Sequence, residues 1–300
     1  MTYRRPSSRK SNFATEPTFQ PQQGDNTAMS PGWGHTPGTW TRQPTLRLRS
    51  NGETTRMSQP ARRCMLAVFA HPDDETSTAA GTFIHYAREG VDIYVVTATR
   101  GERGDLGTGD LTIERRDLPA VREAELRAVL ALYGAHPPIL LDYRDQELIT
   151  ADFATLTQDV LRAMASVRPE VVITFGPSGI SDHDDHKTMH RAATEAFHRY
   201  RHTVVVAPRL YYVAIPPEVA AQFAFHVHPS EMTLSVCMDI VEVKPMKLQG
   251  LRTYRSQTDA QELAVLFATD QFSHEWFYQA HPMLSPTASP ARGFWHEVAP

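Results

Sequence analysis

The sequence lacks the long hydrophobic stretch that a membrane-spanning helix requires. None of the apolar runs in the 300-residue chain reaches about 18 residues, the shortest length expected to cross a bilayer. The basic N-terminus, MTYRRPSSRK, is not followed by the apolar segment of a secretory signal peptide. The sequence therefore predicts a soluble, cytoplasmic protein without a transmembrane segment.

Cysteine is nearly absent, and the charge is close to balanced. Cys64 and Cys237 are the two cysteines, which is too few for a disulfide framework, so both are expected to be structural or incidental. Lys and Arg number 30 and Asp and Glu number 34, for a formal net charge of −4. Such a balance provides no general attraction for nucleic acid, and no nucleic-acid partner is expected.

Composition divides the chain into three segments. Residues 1–61 are rich in Pro, Gly, Ser, Thr, Gln and Arg and lack a sustained apolar period. They cannot bury enough apolar surface to offset the entropy of ordering, which predicts a disordered tail. Residues 62–284 carry the pattern of a folded catalytic domain. Residues 285–300 are predicted to be a Pro/Ala/Ser-rich C-terminal tail, in which Phe294 and Trp295 could dock onto the domain.

Strand and helix patterns alternate along the central segment. The continuous apolar run at 64–69 is typical of a buried parallel strand. The pattern predicts further strands at 91–97, 138–143, 170–175, 204–206 and 210–215, and helices at 76–88, 118–133, 153–167 and 186–200. This alternation predicts an α/β fold, Rossmann-like, with a largely parallel sheet and helices on both faces.

Two of the predicted strands run into loops that hold histidines and carboxylates. The first strand leads into HPDDE at 71–75, and the strand at 170–175 leads into a loop that ends in HDDH at 183–186. Open α/β sheets bind ligands beyond the carboxyl ends of their strands, so both loops are expected at one site. A dinucleotide-binding protein would carry G-x-G-x-x-G after its first strand. The acidic turn found there instead favours a cation.

The residue types in these loops suit a metal-dependent hydrolase. Two histidines and one carboxylate, with an open position for water, are the usual ligands of a catalytic zinc ion. His71 and Asp74 can reach one metal ion from a tight turn, and His186 can complete the set from the second loop. Asp73 would then lie beside a metal-bound water and take its proton as it attacks a carbonyl. His183 would stabilise the oxyanion or protonate the leaving amine.

Other interpretations stay open at this point. Fe²⁺ takes the same ligand types, although zinc is favoured because no oxygenase signature is present. Asp74 or Glu75 could merely cap the helix predicted to begin near residue 76. Asp182 and Asp184 could be solvated loop charges. Asp185 could orient one of the histidines without binding the metal itself.

Several motifs together resemble those of one family. MLAVFAHPDDE at 65–75 resembles the opening strand and signature of the LmbE/PIG-L family of zinc-dependent de-N-acetylases. TRGERG at 99–104 is similar to the family's T-x-G-E-x-G loop, REAEL at 122–126 to its R-x-x-E-L helix, and HDDH at 183–186 to its H-P-D-H motif. The segment 247–257 resembles a later K-x-x-A-L-x-x-H-x-S-Q motif, with Tyr254 in place of a frequent histidine.

The resemblance implies a role for individual side chains. It implies that the zinc ligands are His71, Asp74 and His186 and that Asp73 is the general base. It also implies that His183 is a second histidine, which acts as an acid or stabilises the oxyanion. It also implies that Arg122 holds the substrate, the alternative being an arginine on the helix surface. Asp184 replaces the usual Pro of the second motif and Asp182 a common Gly, and these departures bear on the substrate more than on the metal.

The function implied by the resemblance is hydrolysis of a linear amide. Family members act on N-acetylglucosaminyl groups, so the expected activity is zinc-dependent removal of an N-acetyl group from a small-molecule or glycoconjugate substrate of that type. The alternatives are an amidase on another substrate, such as a thiol-sugar conjugate, a non-catalytic sugar-binding protein of the same fold, and a redox enzyme that uses iron.

Overall fold

The structure is a computed structural model that describes residues 63–283 and 289–295. The predicted tail at 1–61 lies outside these residues. The strands within them are β1 (Cys64–Phe69), β2 (Asp92–Thr99), β3 (Ile139–Tyr143), β4 (Val171–Thr174), β5 (Arg209–Ala214), β6 (Val236–Asp239) and β7 (His274–His281). The helices are α1 (Asp74–Arg88), α2 (Leu118–Tyr133), α3 (Phe153–Val167), α4 (Gly179–Asp182), α5 (Asp184–Tyr200), α6 (Pro217–Gln222), α7 (Lys244–Thr253) and α8 (Thr258–Leu266).

These strands form one sheet in the order β3-β2-β1-β4-β5-β7-β6. The first five strands run parallel, and β7 and β6 extend the sheet in antiparallel fashion. The prediction of a largely parallel α/β sheet is confirmed. Because the chain winds outward from β1 to β3 and then returns to β4, the strand order reverses between β1 and β4. Sheets of this kind bind ligands at such a switch point.

Helices cover the centre of the sheet from two sides. α3 and α5 pack against each other and against β1, whereas α1 packs on β1 and β2 together with α2 and α7. All six residues of β1 are therefore buried, which explains why this strand is a continuous apolar run without polar alternation. Within the described ranges, no helix combines the length and the apolar character that crossing a membrane requires.

Most of the predicted elements before residue 215 are present, with one error. The helices predicted at 118–133 and 153–167 coincide with α2 and α3, and Gly134 ends α2 with a left-handed φ of 76°. The strand predicted at 204–206 is wrong. Val205 and Val206 are exposed and lie in the turn that precedes β5. Their β-branched side chains gave a local strand signal, but no neighbouring strand of the described sheet pairs with them.

Sequence analysis predicts none of the helices and strands after residue 215, where the structure has α6, α7, α8, β6 and β7. β7 inserts between β5 and β6, so its neighbours in the sheet are not its neighbours in sequence. Phe294 also returns to the core, where it is fully buried and its ring meets that of Tyr211 edge-on with centroids 4.6 Å apart. The indole N–H of Trp295 donates to Glu170 at 2.8 Å.

A buried ion pair connects β7 to α1 and α7. Lys247 and Glu275 are each 4% exposed, and their Nζ and Oε1 atoms lie 2.7 Å apart. Glu275 also accepts the backbone N–H groups of Gly81 and Thr82 at 2.9 and 2.8 Å, and Lys247 donates to the carbonyl of Ser77 at 3.0 Å. Removing one partner would leave the other charge buried without its counter-ion.

Lys247→Met is therefore expected to lower the free energy of unfolding by about 3–5 kcal/mol, measured by urea denaturation. The double variant Lys247→Met/Glu275→Gln should recover much of that loss, because the uncompensated carboxylate is gone. Lys187→Met is the control, since Lys187 pairs with Asp184 at the surface and exposed pairs contribute about 0–1 kcal/mol. Equal losses for Lys247→Met and Lys187→Met would contradict this account.

Candidate metal centre and catalytic cleft

The first catalytic loop is a tight turn between β1 and α1. Asp73 adopts a left-handed φ of 97° and occupies the N-cap position, while Asp74 is the first residue of the helix. One carboxylate oxygen of Asp74 accepts the backbone N–H groups of His71 and Ala70 at 2.7 and 3.2 Å. Asp74 is therefore not the helix cap that one interpretation of the sequence allowed. Its carboxylate stabilises the turn through these two hydrogen bonds to the backbone.

Glu75 stabilises the same turn through hydrogen bonds to Asp73 and Tyr254. It is fully buried, accepts the backbone N–H of Asp73 at 3.0 Å, and accepts the hydroxyl of Tyr254 at 2.7 Å. Burial raises the pKa of the Glu75 carboxyl to about 6, although these hydrogen bonds oppose the shift. Tyr254, which stands where the family motif often has histidine, thus supports the turn through Glu75.

The second loop follows β4 and carries His186 into the site. The Nδ1 atom of His186 lies 3.0 Å from the carbonyl oxygen of Gly179, to which it can donate, and its ring stacks on Phe175 with centroids 4.2 Å apart. These contacts fix the ring and leave Nε2 with its lone pair facing the first loop. Gly179 has a φ of 65°, and a Cβ there would lie 2.7 Å from the Cβ of His186.

The three predicted metal ligands converge on one point. His71 Nδ1 lies 3.2 Å from His186 Nε2, and His186 Nε2 lies 3.2 Å from Asp74 Oδ1. His71 Nδ1 lies 3.6 Å from Asp74 Oδ2. Tetrahedral zinc with nitrogen and oxygen ligands at about 2.0–2.1 Å requires ligand atoms about 3.4 Å apart. The separations and the donor types therefore fit a zinc ion.

Two further carboxylates hold the outer nitrogen of His71. Its Nε2 atom lies 3.1 Å from Asp185 and 3.2 Å from Asp145. Asp185 in turn accepts the backbone N–H groups of Gln146 and Leu148 at 2.7 and 3.1 Å. Donation from Nε2 leaves Nδ1 free to bind a metal, which is the usual arrangement around a ligating histidine. Sequence reasoning singled out Asp185 and missed Asp145, although Asp145 follows the third parallel strand.

The electrostatic surroundings of the site attract positive charge. Burial alone would lower the pKa of His71, but its contacts with Asp145, Asp185 and Asp74 raise it well above the usual value. The contact between His71 and Asp145 also shifts the pKa of Asp145. Burial would raise the pKa of Asp145, yet the hydrogen bond with His71 holds it below its usual value. A cation at this point would therefore be stabilised by several carboxylates.

A third histidine lies beside the ligand set. The ring nitrogens of His71, His183 and His186 approach within 4.8 Å of one another, so three imidazoles form an alternative set. Asp74 is the better third ligand, because His183 Nδ1 already accepts the backbone N–H of Asp185 at 3.1 Å and caps α5. This cap explains why α5 begins at Asp184 instead of the predicted 186. Burial, followed by the neighbouring imidazoles, lowers the pKa of His183.

Asp73 pairs with Arg122. One Asp73 oxygen lies 2.8 Å from Arg122 Nη2, which also donates to the carbonyl of Pro72, and Arg122 Nη1 donates to the carbonyl of Gly101 at 3.0 Å. Arg122 is 4% exposed, so it is not the surface arginine that the sequence also allowed. Gly101 has a φ of 63°, and a Cβ there would lie 2.1 Å from Arg122 Nη1, so a larger residue would be strained and would displace the guanidinium. Its role in substrate binding stays a prediction.

Asp182 and Asp184 stay outside the site. Both are exposed, and both pair with Lys187, at 3.0 and 2.9 Å. The interpretation as solvated loop charges fits these contacts. The extra negative charges of the second motif therefore lie on the rim and do not contact the ligand atoms.

The ligand set opens into a polar cleft of about 220 Å³. The cleft borders His71, Asp73, Asp74 and His186, and its remaining wall consists of polar groups and small residues, namely Gly104, Arg122, Asp145, Gln146, Ser181, His183, Gln257 and Asp259. Gln257 comes from the segment before α8, so this cleft joins the ends of β1, β3 and β4 to the C-terminal part of the chain. Hydroxyl-rich ligands suit such a wall.

Asp185→Asn is expected to weaken Zn²⁺ binding by about 10–100-fold, because the amide is a poorer acceptor for His71. The affinity is measured by competition with a chromophoric chelator. Asp184→Asn is the matched control on the neighbouring residue and should leave the affinity unchanged. An equal effect of both substitutions, or none from Asp185→Asn, would contradict the orienting role.

Comparison with known proteins identifies relatives of this chain. The family described as GlcNAc-PI de-N-acetylase (PIG-L) matches residues 66–197. The 1D-myo-inositol 2-acetamido-2-deoxy-alpha-D-glucopyranoside deacetylase of Mycolicibacterium vanbaalenii is 31% identical over 231 residues, covering 64% of this chain and 80% of that protein. A relative of the same name from a Mycobacterium species is 35% identical, but the chain spans about half of its length, 54%.

Solved structures share the fold at lower identity. N,N'-diacetylchitobiose deacetylase from Pyrococcus horikoshii has a TM-score of 0.57 and 21% identity, over 73% of this chain and 84% of that chain. The 4-carboxy-2-hydroxymuconate hydratase GalB from Pseudomonas putida also has a TM-score of 0.57 and 21% identity, over 76% and 100%. One fold thus carries both a deacetylase and a hydratase, so function has to be argued from the site.

Proposed function

Because this chain belongs to the PIG-L family of de-N-acetylases, we propose that it is a zinc-dependent hydrolase that removes an N-acetyl group from an N-acetylglucosamine-type sugar. The bond broken is a linear amide. Relatives named as deacetylases of a 2-acetamido-2-deoxyglucoside support the sugar part of the proposal. The metal and the roles of the side chains are supported by the donor set and its geometry.

The observation that carries the proposal is the different orientation of two consecutive carboxylates. Asp74 faces His71 and His186, whereas Asp73 faces Arg122 and the polar cleft. A binding site needs the first carboxylate alone. The second borders the same cleft and pairs with Arg122, which supports a role as the base that takes a proton from an attacking water.

Zinc, when bound by His71, Asp74 and His186, would polarise the amide carbonyl and favour a nucleophilic water near neutral pH. Asp73 would accept the proton of that water. Burial raises the pKa of the Asp73 carboxyl well above its usual value, and the positive charge of Arg122 opposes the shift. The result is a carboxyl group of increased basicity that Arg122 orients.

His183 would serve the leaving side of the reaction. Its Nδ1 is occupied by the N–H of Asp185, so a proton on the ring resides on Nε2. From there the ring can donate a hydrogen bond to the carbonyl oxygen as negative charge develops, or pass a proton to the amine nitrogen. Both tasks require His183 to border the polar cleft, as it does.

Asp73→Asn is expected to lower kcat by at least about 100-fold, because the amide cannot accept the proton. Zinc affinity should stay near that of the wild type, since Asp73 is not a ligand. Amine release from N-acetylglucosamine and its glycosides measures the activity. Asp182→Asn, at an exposed carboxylate of the rim, should retain wild-type turnover. Normal turnover in Asp73→Asn would remove Asp73 as the base.

Arg122→Gln tests how Asp73 is held. Arg122 lowers the pKa of Asp73, so its removal should raise that pKa and move the acidic limb of the pH profile of kcat/KM to higher pH. Arg122→Lys keeps the charge and should shift the limb less. The profile is measured with one N-acetylglucosaminyl substrate across pH 4–9. An acidic limb unchanged in Arg122→Gln would contradict the pairing.

A further inference from the structure

A second, apolar cavity also borders the ligand set. Its volume is about 370 Å³, and it borders Asp73, Asp74 and His186, as the polar cleft does. The aliphatic and aromatic side chains of its wall include Ile180, Val219, Phe223, Leu263, Phe267 and Trp276. The candidate metal centre therefore borders both a polar space and a larger apolar one.

Two of the charged residues that border this cavity, Lys247 and Glu275, are paired with each other, and the others are Asp73, Asp74 and Asp259. Lys247 Nζ contacts Glu275 at 2.7 Å and the carbonyl of Ser77 at 3.0 Å. Glu275 also accepts hydrogen bonds from Gly81 and Thr82. The cavity thus offers a ligand mainly apolar contact, and burial of apolar surface is the interaction that would hold an occupant there.

The cavity is much larger than an acetyl group requires. A volume of about 370 Å³ is more than ten times the roughly 30 Å³ that one water occupies in the liquid, and a methyl group is of similar size. An acetyl substrate would leave most of the space without partner atoms. An aliphatic chain of several carbons would fill it.

With His183 as the proton donor to the leaving amine, the two spaces would take the two sides of the scissile amide. His183 borders the polar cleft and not the apolar cavity, so in that role the nitrogen and the sugar would lie toward the cleft. The carbonyl carbon lies at the ligand set. The third substituent of the carbonyl carbon is the carbon chain of the acyl group, and it would extend into the apolar cavity.

The wall of this cavity comes mainly from outside the region that matches the family. The match ends at residue 197, whereas most of the apolar lining lies between Val213 and Trp276, on β5, α6, α8 and β7 and the segments between them. The ligand set and His183 lie inside the match. Chemistry and acyl selectivity are therefore encoded in different parts of the chain.

We infer that the acyl group this enzyme removes best is a medium-length aliphatic chain, carried on the nitrogen of an amino sugar. The inference rests on the proposed hydrolase function. In the reaction, water adds its oxygen to the carbonyl carbon, the C–N bond breaks, and a proton passes to the nitrogen. The products are a fatty carboxylate and the free amino sugar.

The test compares three compounds with the zinc-loaded full chain, namely N-acetylglucosamine, N-octanoylglucosamine and the octyl glycoside of N-acetylglucosamine. Each methylene moved out of water should raise kcat/KM by about fourfold, so the octanoyl amide should exceed the acetyl amide by at least about 100-fold. The octyl glycoside carries its chain on the amine side and should gain much less. Amine release and carboxylate release are both measured.

Substitutions on α8 test whether the acyl chain of the substrate lies in the apolar cavity. Leu263→Asp places a carboxylate in the cavity wall and should lower the octanoyl-to-acetyl ratio of kcat/KM by at least about tenfold. Val265→Asp is the matched control, because Val265 lies on the same helix and is 75% exposed, and it should keep the ratio. Thermal unfolding of both variants checks the fold. If Leu263→Asp does not fold, the wild-type comparison of the three compounds decides alone.

The outcomes separate this inference from the proposed function. Hydrolysis of the acetyl amide without a gain for the octanoyl amide would keep the function and overturn the inference. An equal gain for the octyl glycoside would also overturn it, since the cavity would then hold the group on the amine side. No amine from any of the three compounds would contradict the proposed function, and the inference with it.

Discussion

The site depends on one constraint, the separation of two consecutive carboxylates in the turn after β1. A left-handed backbone at Asp73 lets its side chain diverge from that of Asp74. Backbone N–H groups and His186 hold Asp74, and Arg122 holds Asp73. If both carboxylates faced the same point, the metal would take them both and no base would be left for the water. The strained turn is stable because buried groups fix it from every side, Glu75 and Tyr254 included.

The other residues of the site come from other parts of the structure. The reversal of strand order between β1 and β4 brings His186 and His183 to it from a distant part of the sequence. The end of β3 adds Asp145, and α5 adds Asp185, which together orient His71. The C-terminal part, from β5 to β7, contributes an apolar wall beside the ligand atoms. The proposed ligands and base thus come from the parallel core, and most of the apolar wall comes from the elements between β5 and β7.

Much of the fold and of the candidate site could be predicted from sequence, for physical reasons that differ by region. α2 and α3 have apolar residues at helical spacing and β1 is a continuous apolar run, so their boundaries were clear. The HPDDE and HDDH loops were recognisable because their polar residues follow apolar strands. Asp145 was missed because a single carboxylate after a strand gives little signal until the sheet order is known. The C-terminal elements were missed because short helices and β7 depend on tertiary contacts. Arg122 was ambiguous, since a buried arginine and a surface arginine look alike on a helix.

The most direct test of the central claim is anomalous diffraction at the zinc absorption edge from crystals of the zinc-loaded protein. The account predicts one peak about 2.0–2.2 Å from His71 Nδ1, His186 Nε2 and a carboxylate oxygen of Asp74, with Asp73 outside the coordination sphere and still paired with Arg122. A peak coordinated by Asp73 or by His183, or one lying between Asp145 and Asp185, would contradict it, because the separation of the two carboxylates would then not be what the site depends on.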